Sequence, residues 1–522
     1  MVDRPNILFI MSDDHAATAI SAYLSRLASV FETPHIDRLA HEGILLENCH
    51  CTNAICTPSR ATILTGQHSH VNGVRTLNDP LPERAHTFVQ DFQEAGYATA
   101  VFGKWHLHSR PRGFDDYSVL PGQGLYHDPF FIDPDEQWPS VVNNGGLGNE
   151  PEALYPTGTR HHGHVTDLIA EKSLEWLKNR DRSRPFLLFC QHKAPHDDFE
   201  YARRYEHVLD GVQIPEPESL FEDKAHRSEG SRIYGTSVSD RNIRRNAIRW
   251  MSRSDYPTGT LDVRGLSAPE RTKAAYQKYL KDYLRCVRGI DDTVGTILNY
   301  LDIDGIAEDT IVVYTSDQGM FLGEHDYIDK RWIFEESLQM PLLVRYPKEI
   351  PAGSRSDAIV SNLDFARTLL DYAGIPANES FDGRSFRRIL SGSTPEDWPN
   401  VVYNRYWMHM THHDNPAHYG IRTKEHKLIF FYGLPLDASG AQSYATPPGW
   451  ELYDLVNDPH ELCNVWSDPN HTEVRKRLVD RLMTVKRENG DTDDQYPELE
   501  KLCMETLADA RVDTTGGGWD RL

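Results

Sequence analysis

Short apolar runs, each ending abruptly in charged or hydrogen-bonding residues, recur through the first two thirds of the chain. The first, Asn6 to Met11, stops at Ser12-Asp13-Asp14. Ala98 to Phe102 stops at Gly103-Lys104, Pro185 to Gln191 at His192, and Thr310 to Thr315 at Ser316-Asp317; Pro341 to Tyr346 follows. Runs this short and continuously apolar are the pattern of strands buried on both faces of a parallel sheet. Between them the apolar spacing changes to three and four. Thr33-Pro34 opens one such stretch, Thr suiting the cap and Pro the first turn; Ile36, Leu39 and Ala40 share a face, and Gly43 closes it. Val165 to Lys178 and Pro269 to Leu301 are longer helical stretches. Strands alternating with helices predict an α/β fold: a large, mostly parallel sheet flanked by helices.

Around Phe381 to Pro399 the pattern gives way to Gly, Ser, Pro and charge. A boundary is expected there, between a catalytic α/β domain over 1–390 and a smaller α+β domain over 391–522. The strand-like run Lys427 to Tyr432 and the polar helix Val474 to Glu488 belong to the second part, and Thr514 to Gly518 reads as a loosely docked tail. The long loops over 121–160 and 205–266 are rich in Pro, Gly, Asp and Arg and are expected to serve as lids or substrate walls.

Charge narrows the choice of partners. The chain has 522 residues and a net charge of −23. A field of that sign repels nucleic acid and anionic membranes, so neither is an expected partner, and an anionic substrate needs a locally positive pocket. The seven cysteines are odd in number and scattered, which is no disulfide framework. Cys49-x-Cys51 lacks a second pair at zinc spacing and reads as loop or core thiols. The run Ile7 to Met11 is too short for a signal-peptide core, and no stretch is long and apolar enough to span a bilayer. A soluble, cytoplasmic chain is expected.

In a parallel sheet, ligands bind beyond the carboxyl ends of the strands. The residues standing there are Asp13 and Asp14, Lys104 and His106, His192 and His196, and Asp317 and Gln318. Asp13, Asp14, Asp317 and Gln318 offer only oxygen ligands, which suits one hard divalent cation, Ca²⁺ or Mg²⁺. Without it, the three carboxylates would repel one another and their pKa values would rise. Cys56 precedes a helix start, with Pro58 near the first turn and Arg60 close by, and both the helix end and the guanidinium favour an anion there.

Cys56-Thr57-Pro58-Ser59-Arg60, followed by Thr65-Gly66, resembles the sulfatase signature. Arg4 to Asp14, Gly103 to His106, Lys193 to His196, Ser316 to His325, Asp329 to Ser337, and Tyr419 to Leu455 resemble that family's other motifs in order and spacing. Gln318 stands where Asn or His is also common, and Asp326 where Gly is frequent. The resemblance implies an alkaline-phosphatase-like fold and hydrolysis of sulfate monoesters of a sugar or an aryl alcohol. It implies that a maturation enzyme converts Cys56 to formylglycine, whose hydrate is the nucleophile and joins the metal set. It gives Arg60, Lys104 and Lys330 to the sulfate, His196 to protonation of the leaving group and His106 to release of sulfate. The segments 326–336 and 409–423 look most like bacterial sulfatases of sulfated sugars, with His412, His413 and His418 expected at the substrate mouth. A phosphonate monoester or phosphodiester hydrolase of the same superfamily and a non-catalytic sulfoglycan-binding protein are the rival readings, and a homo-oligomer is compatible with all three.

Overall fold

The computed structural model describes residues 4–136, 138 and 158–510. Part of the 121–160 loop and the expected tail at Thr514 to Gly518 lie outside these residues. Eight strands form the main sheet: β1 (Asn6–Ser12), β2 (Ile44–His50), β3 (Ala98–Lys104), β4 (Asp116–Leu120), β5 (Phe186–Gln191), β6 (Thr310–Ser316), β7 (Gln339–Arg345) and β8 (Ser354–Ser361). Their order is β8-β2-β7-β6-β1-β5-β3-β4. Every pairing is parallel except those of β7, which runs against both β2 and β6. The sheet is therefore mixed, and mostly parallel as expected.

The strands of the sheet's centre end level with one another. Met11 pairs with Gln191 and Ser12 with Ser316, so the residues that follow β1, β5 and β6 emerge together at one edge. The side-chain period of two splits β1 between two cores. Ile7, Phe9 and Met11 face α2 (Cys56–Thr65) and α5 (Asp364–Ala373), whereas Leu8 and Ile10 face α1 (Pro34–Glu42), α3 (Val165–Asn179) and α4 (Ala268–Ile303). Each fully buried Leu or Ile contributes about 1.5–3 kcal/mol, so a strand with two apolar faces is held firmly in place.

Thr33 does not cap α1. Its hydroxyl donates to Asp37 (2.9 Å), and Asp291, on the long helix α4, accepts instead from the His35 and Ile36 amides (3.0 and 2.8 Å). A carboxylate brought by tertiary packing thus replaces the local cap. α4 does carry its own capping box, Ser267 with Glu270.

Gly103 sits at φ +108°, and a Cβ there would lie 1.9 Å from the Gln191 carbonyl oxygen. The next residue is Lys104. Gly103→Ala is expected to cost about 2–4 kcal/mol, from clash and backbone strain together. Because β3 must move to relieve the clash, activity should fall beyond what the melting temperature explains. A variant that melts and turns over like the parent would show that β3 relaxes freely.

The C-terminal part holds a second sheet of four antiparallel strands in chain order: β9 (Val401–Tyr406), β10 (His418–Thr423), β11 (His426–Phe431) and β12 (Gly449–Asp454). α6 (Thr472–Glu488) and α7 (Pro497–Asp509) supply Leu478, Leu482 and Leu499 to a core shared with Tyr419 and Trp450. Lys427 on β11 is fully buried and reaches Glu335 (2.8 Å) and Glu461 (2.7 Å), tying this sheet to the segment before β7. All seven cysteines are free; Cys49 and Cys51 are buried core thiols. Among the described residues no helix is long and apolar enough to cross a membrane.

Candidate active site

Cys56 opens α2 at the edge where the central strands end. The helix begins there because Ile55 is extended (φ −153°, ψ 143°) and Pro58 fits the first turn, and it stops at Gly66 in the left-handed region (φ +57°). Every residue of α2 is buried. Arg60, one turn on, is the hub of the site. Its Nε donates to Asp317 Oδ2 (2.9 Å), its Nη1 to the Lys104 carbonyl (2.7 Å) and to Gln191 Oε1 (3.1 Å), and its Nη2 lies 3.6 Å from Asp13 Oδ1. One guanidinium therefore fixes the ends of β1, β3, β5 and β6 relative to α2.

Oxygen atoms of Asp13, Asp14 and Asp317 lie within 4.8 Å of one another, all buried. Burial pushes the Asp317 carboxyl up, and the Asp13 carboxylate beside it adds to the rise; Arg60 opposes both, and the result is about 8. Burial acts on Asp13 in the same direction, but Lys104, His196 and Arg60 outweigh it and hold that carboxyl well below its ordinary range. Asp13 Oδ1 and Gln318 Oε1 are buried without a hydrogen-bond partner. Gln318 Nε2 donates to Asp14 and lies 3.8 Å from Cys56 Sγ. Crowded carboxylates, one driven toward protonation, and unpaired oxygens among them are a donor set that fits a hard divalent cation.

The positive groups surround Cys56. Lys104 donates to Asp13 and to Gln123 Oε1. Lys330 donates to Asp14 Oδ2 (2.5 Å); burial would lower its pKa, but Asp14 and its other anionic neighbours raise it, so it stays an ammonium. Burial raises the Cys56 thiol well above its ordinary value, and Asp13 adds to this against Lys330 and Lys104. Among the protein's own groups, burial and Asp13 outweigh Lys330 and Lys104 and favour the neutral thiol.

His196 and His106 differ in setting. His196 Nδ1 lies 2.5 Å from Asp197 Oδ1, and its Nε2 lies 3.7 Å from Asp14 Oδ2. Burial pushes Asp197 up, but His196 and Lys330 outweigh it, so its carboxylate stays ionised. His106 Nδ1 is buried and unpaired, and burial followed by Lys104 and His108 drives its pKa well down. Both effects favour the neutral imidazole.

The structure thus brings together Cys56, Arg60, Lys104, His106, His196, Lys330, Asp13, Asp14, Asp317 and Gln318. His192 is not among them: its ring lies 3.8 Å from Cys190 Sγ and 3.4 Å from Thr293 Oγ1, packed under α4. His418 is likewise no part of a mouth; it is fully buried, stacked between Trp332 and Tyr406. His413 does approach, with Nε2 at 3.5 Å from Asp329 Oδ1, next to Lys330. Sequence reasoning missed Gln123, Gln191 and Asp197. The strand-end rule would have found Gln123 had the short strand β4 been read, and an acid next to a site histidine is the signal for Asp197.

A family model described as Sulfatase matches residues 5–375, and one described as N-sulphoglucosamine sulphohydrolase, C-terminal, matches 323–488. An N-acetylglucosamine-6-O-sulfatase of Bacteroides thetaiotaomicron is 36% identical, over 95% of this chain and 88% of its own length. A solved structure described as a complex with its substrate, D-glucosamine-2-N,6-O-disulfate, is 35% identical, with a TM-score of 0.81 over 94% of this chain and 99% of that one. A phosphonate monoester hydrolase of Silicibacter pomeroyi shares the fold, with a TM-score of 0.68 at 20% identity over 93% of this chain and 96% of its own.

Proposed function

Because the chain belongs to the sulfatase family and hydrolyses sulfate esters, we propose that its substrate is a 6-O-sulfated glucosamine, attacked by residue 56 as formylglycine. We place one divalent cation, Ca²⁺ or Mg²⁺, on Asp13, Asp14, Asp317, Gln318 and the modified residue 56. The sugar half of this reading is supported by the similarity to the glucosamine sulfatases along nearly the whole chain. The observation that carries the formylglycine half is the placement of Cys56: at the buried start of α2, its sulfur lies within 4.8 Å of an Asp13 oxygen and a His196 ring nitrogen, and 3.8 Å from the Gln318 amide. A thiol held neutral by burial and carboxylates is a poor nucleophile, whereas a geminal diol supplies a hydroxyl without needing a thiolate. When bound, the cation offsets the charge of the sulfate and eases ionisation of a hydroxyl.

One hydroxyl of the diol attacks sulfur, the bond from sulfur to the sugar oxygen breaks, and His196 gives that oxygen its proton. Asp197, with Oδ1 2.5 Å from His196 Nδ1, orients the ring for this step. Lys104, Lys330 and Arg60 face the sulfate with fixed positive charge. The neutral His106 then takes the proton of the second hydroxyl; the carbonyl re-forms as the carbon–oxygen bond to sulfate breaks, and sulfate leaves. Asp329, Arg331 and His413 stand beside Lys330 and meet the sugar. The direct test is kcat/KM for 6-O-sulfated N-acetylglucosamine against an aryl phosphonate monoester. The sulfated sugar should be the better substrate, and the reverse order would return the chain to the phosphonate reading.

Cation binding should release a proton. Asp317, near pH 8 without the cation, must be ionised to ligate, so affinity should tighten by up to about tenfold per pH unit on rising from 6 toward 8. The stability effect has the opposite sign. A carboxyl raised in the folded state makes the cation-free fold lose stability as pH rises from about 4 to about 8. Asp317→Asn should lower metal content and activity together. Calorimetry at several pH values with elemental analysis checks this, and undiminished activity in a thoroughly chelated sample would refute it.

A further inference from the structure

Residues 231–255 carry six arginines (Arg232, Arg241, Arg244, Arg245, Arg249 and Arg253) against two aspartates (Asp240 and Asp255), in a chain whose net charge is −23. The tip of this segment is a built turn. Asn242 Oδ1 accepts from the Arg244 and Arg245 amides (3.1 and 3.2 Å), while its Nδ2 donates to the Gly235 carbonyl (3.0 Å) and to Asp414 Oδ2 (3.2 Å). The turn presents Arg244 and Arg245 side by side to solvent. The Arg244 side chain is 71% exposed and only skirts Asp414 at 3.5 Å; Arg245 is exposed and forms no salt bridge among the described residues. Neighbouring arginines are engaged otherwise, Arg241 with Asp326 and Arg253 with Asp198 and Asp255.

The base of this turn, which Arg245 joins through its carbonyl on the Ser237 amide (3.1 Å), packs against the segment that carries Lys330. Thr236 Oγ1 lies 3.0 Å from His413 Nδ1, and its carbonyl accepts from the Ile328 amide (3.2 Å). His413 in turn lies 3.5 Å from Asp329, the residue before Lys330. The same field reaches inward: burial, then Arg331 and Arg245, push the His412 pKa down to about 4. Exposed guanidinium groups usually find carboxylates in so acidic a protein. On this pinned turn beside the segment that carries Lys330, Arg245 forms no salt bridge among the described residues and Arg244 keeps most of its side chain in solvent, which suits an anion that arrives with the substrate.

We propose that Arg245, with Arg244 beside it, is a subsite for a second anionic group of the substrate, a sulfate or carboxylate remote from the scissile ester. The inference rests on the sulfatase reading and extends it from a monosulfated sugar to a polyanionic one. It also explains how a strongly acidic protein gathers such a substrate: the tip offsets the bulk field locally.

The test uses formylglycine-bearing enzyme and three substrates. These are 6-O-sulfated N-acetylglucosamine, glucosamine-2-N,6-O-disulfate, and a disaccharide joining a uronic acid to 6-O-sulfated N-acetylglucosamine. The parent should prefer at least one dianionic substrate in kcat/KM, and the preference should shrink with added salt. In Arg245→Gln the ratio of dianionic to monoanionic kcat/KM should drop about five- to tenfold, mainly through KM, while Arg245→Lys keeps part of it. Loss confined to the disulfate identifies a second sulfate as the ligand, and loss confined to the disaccharide a carboxylate. Arg244→Gln gives an independent reading should the first variant fold poorly. An equal loss on all three substrates, or a parent indifferent to the second charge, would overturn the subsite while leaving the sulfatase reading intact. Failure to hydrolyse any of the three would overturn the sulfated-sugar reading and the subsite with it.

Discussion

Cys56→Ala is expected to lower kcat by at least about 10⁴-fold while shifting the melting temperature by only a few degrees. The two halves of that expectation have separate causes. In the proposed mechanism residue 56, as formylglycine, forms and breaks the covalent sulfate ester, and removing a nucleophile leaves only binding and electrostatics. The side chain is small, buried, and in contact at 3.8 Å with the Gln318 amide, so deleting its sulfur leaves a minor cavity costing about 1 kcal/mol. Arg60, which ties four strands together, is untouched. Initial rates, thermal melting and tryptic mass spectrometry of the peptide containing residue 56 check all of this. Full activity from enzyme whose residue 56 is entirely unmodified thiol would sink the formylglycine mechanism.

The second large effect separates two histidines by the step proposed for each. With His196 removed, a sugar alcohol must leave without its proton, whereas a nitrophenolate hardly needs one. His196→Ala should therefore cost about 10²- to 10⁴-fold on the sulfated sugar and far less on nitrophenyl sulfate. With His106 removed, the alcohol still leaves but sulfate stays on residue 56. His106→Ala should give a burst of alcohol, a sulfated enzyme visible by intact mass, and a steady state nearly blind to the leaving group. Asp197→Asn should follow His196→Ala in its dependence on leaving group, because its carboxylate holds that ring at 2.5 Å. Equal losses on both substrates for His196→Ala, with no adduct in His106→Ala, would reverse or remove these roles.

The site was legible in the sequence to the extent that it follows from strand ends. Asp13, Lys104, His196 and Asp317 could be placed together because parallel strands deliver their last residues to one edge, and the register of β1 with β5 and β6 is level. The same rule overreached at His192, since a side chain just past a strand can turn to either face, and this one turns under α4. Strands β2, β4 and β8 escaped notice for a physical reason. β2 reads Ile-Leu-Leu-Glu-Asn-Cys-His and β8 begins Ser-Arg-Ser-Asp, so both mix polar residues into the run, and β4 has five residues. The reversed direction of β7 leaves no mark in an apolar run. It follows from the connection: the segment between β6 and β7 is spent on Asp317, Gln318 and Lys330 and contains no long crossover helix. The partners of buried groups, such as Gln123 on Lys104 and Asp291 on α1, depend on tertiary approach and have no local signature.

The position of β1 in the sheet sets an order in time. β1 is paired on one side by β5 and on the other by β6, so it has no permanent neighbours until residues near 190 and 315 exist. Cys56 is sealed only when Lys330 and the ends of those strands close over it, after which it is 1% exposed. At a synthesis rate of about 5–20 residues per second, the interval between making Cys56 and making Lys330 is roughly 15–55 s. During that interval the thiol is an accessible side chain on an unfinished chain; afterwards it is part of the interior. On the proposed formylglycine reading, conversion of Cys56 competes with folding, and slowing translation between the two positions should raise the converted fraction without any change to the mature structure.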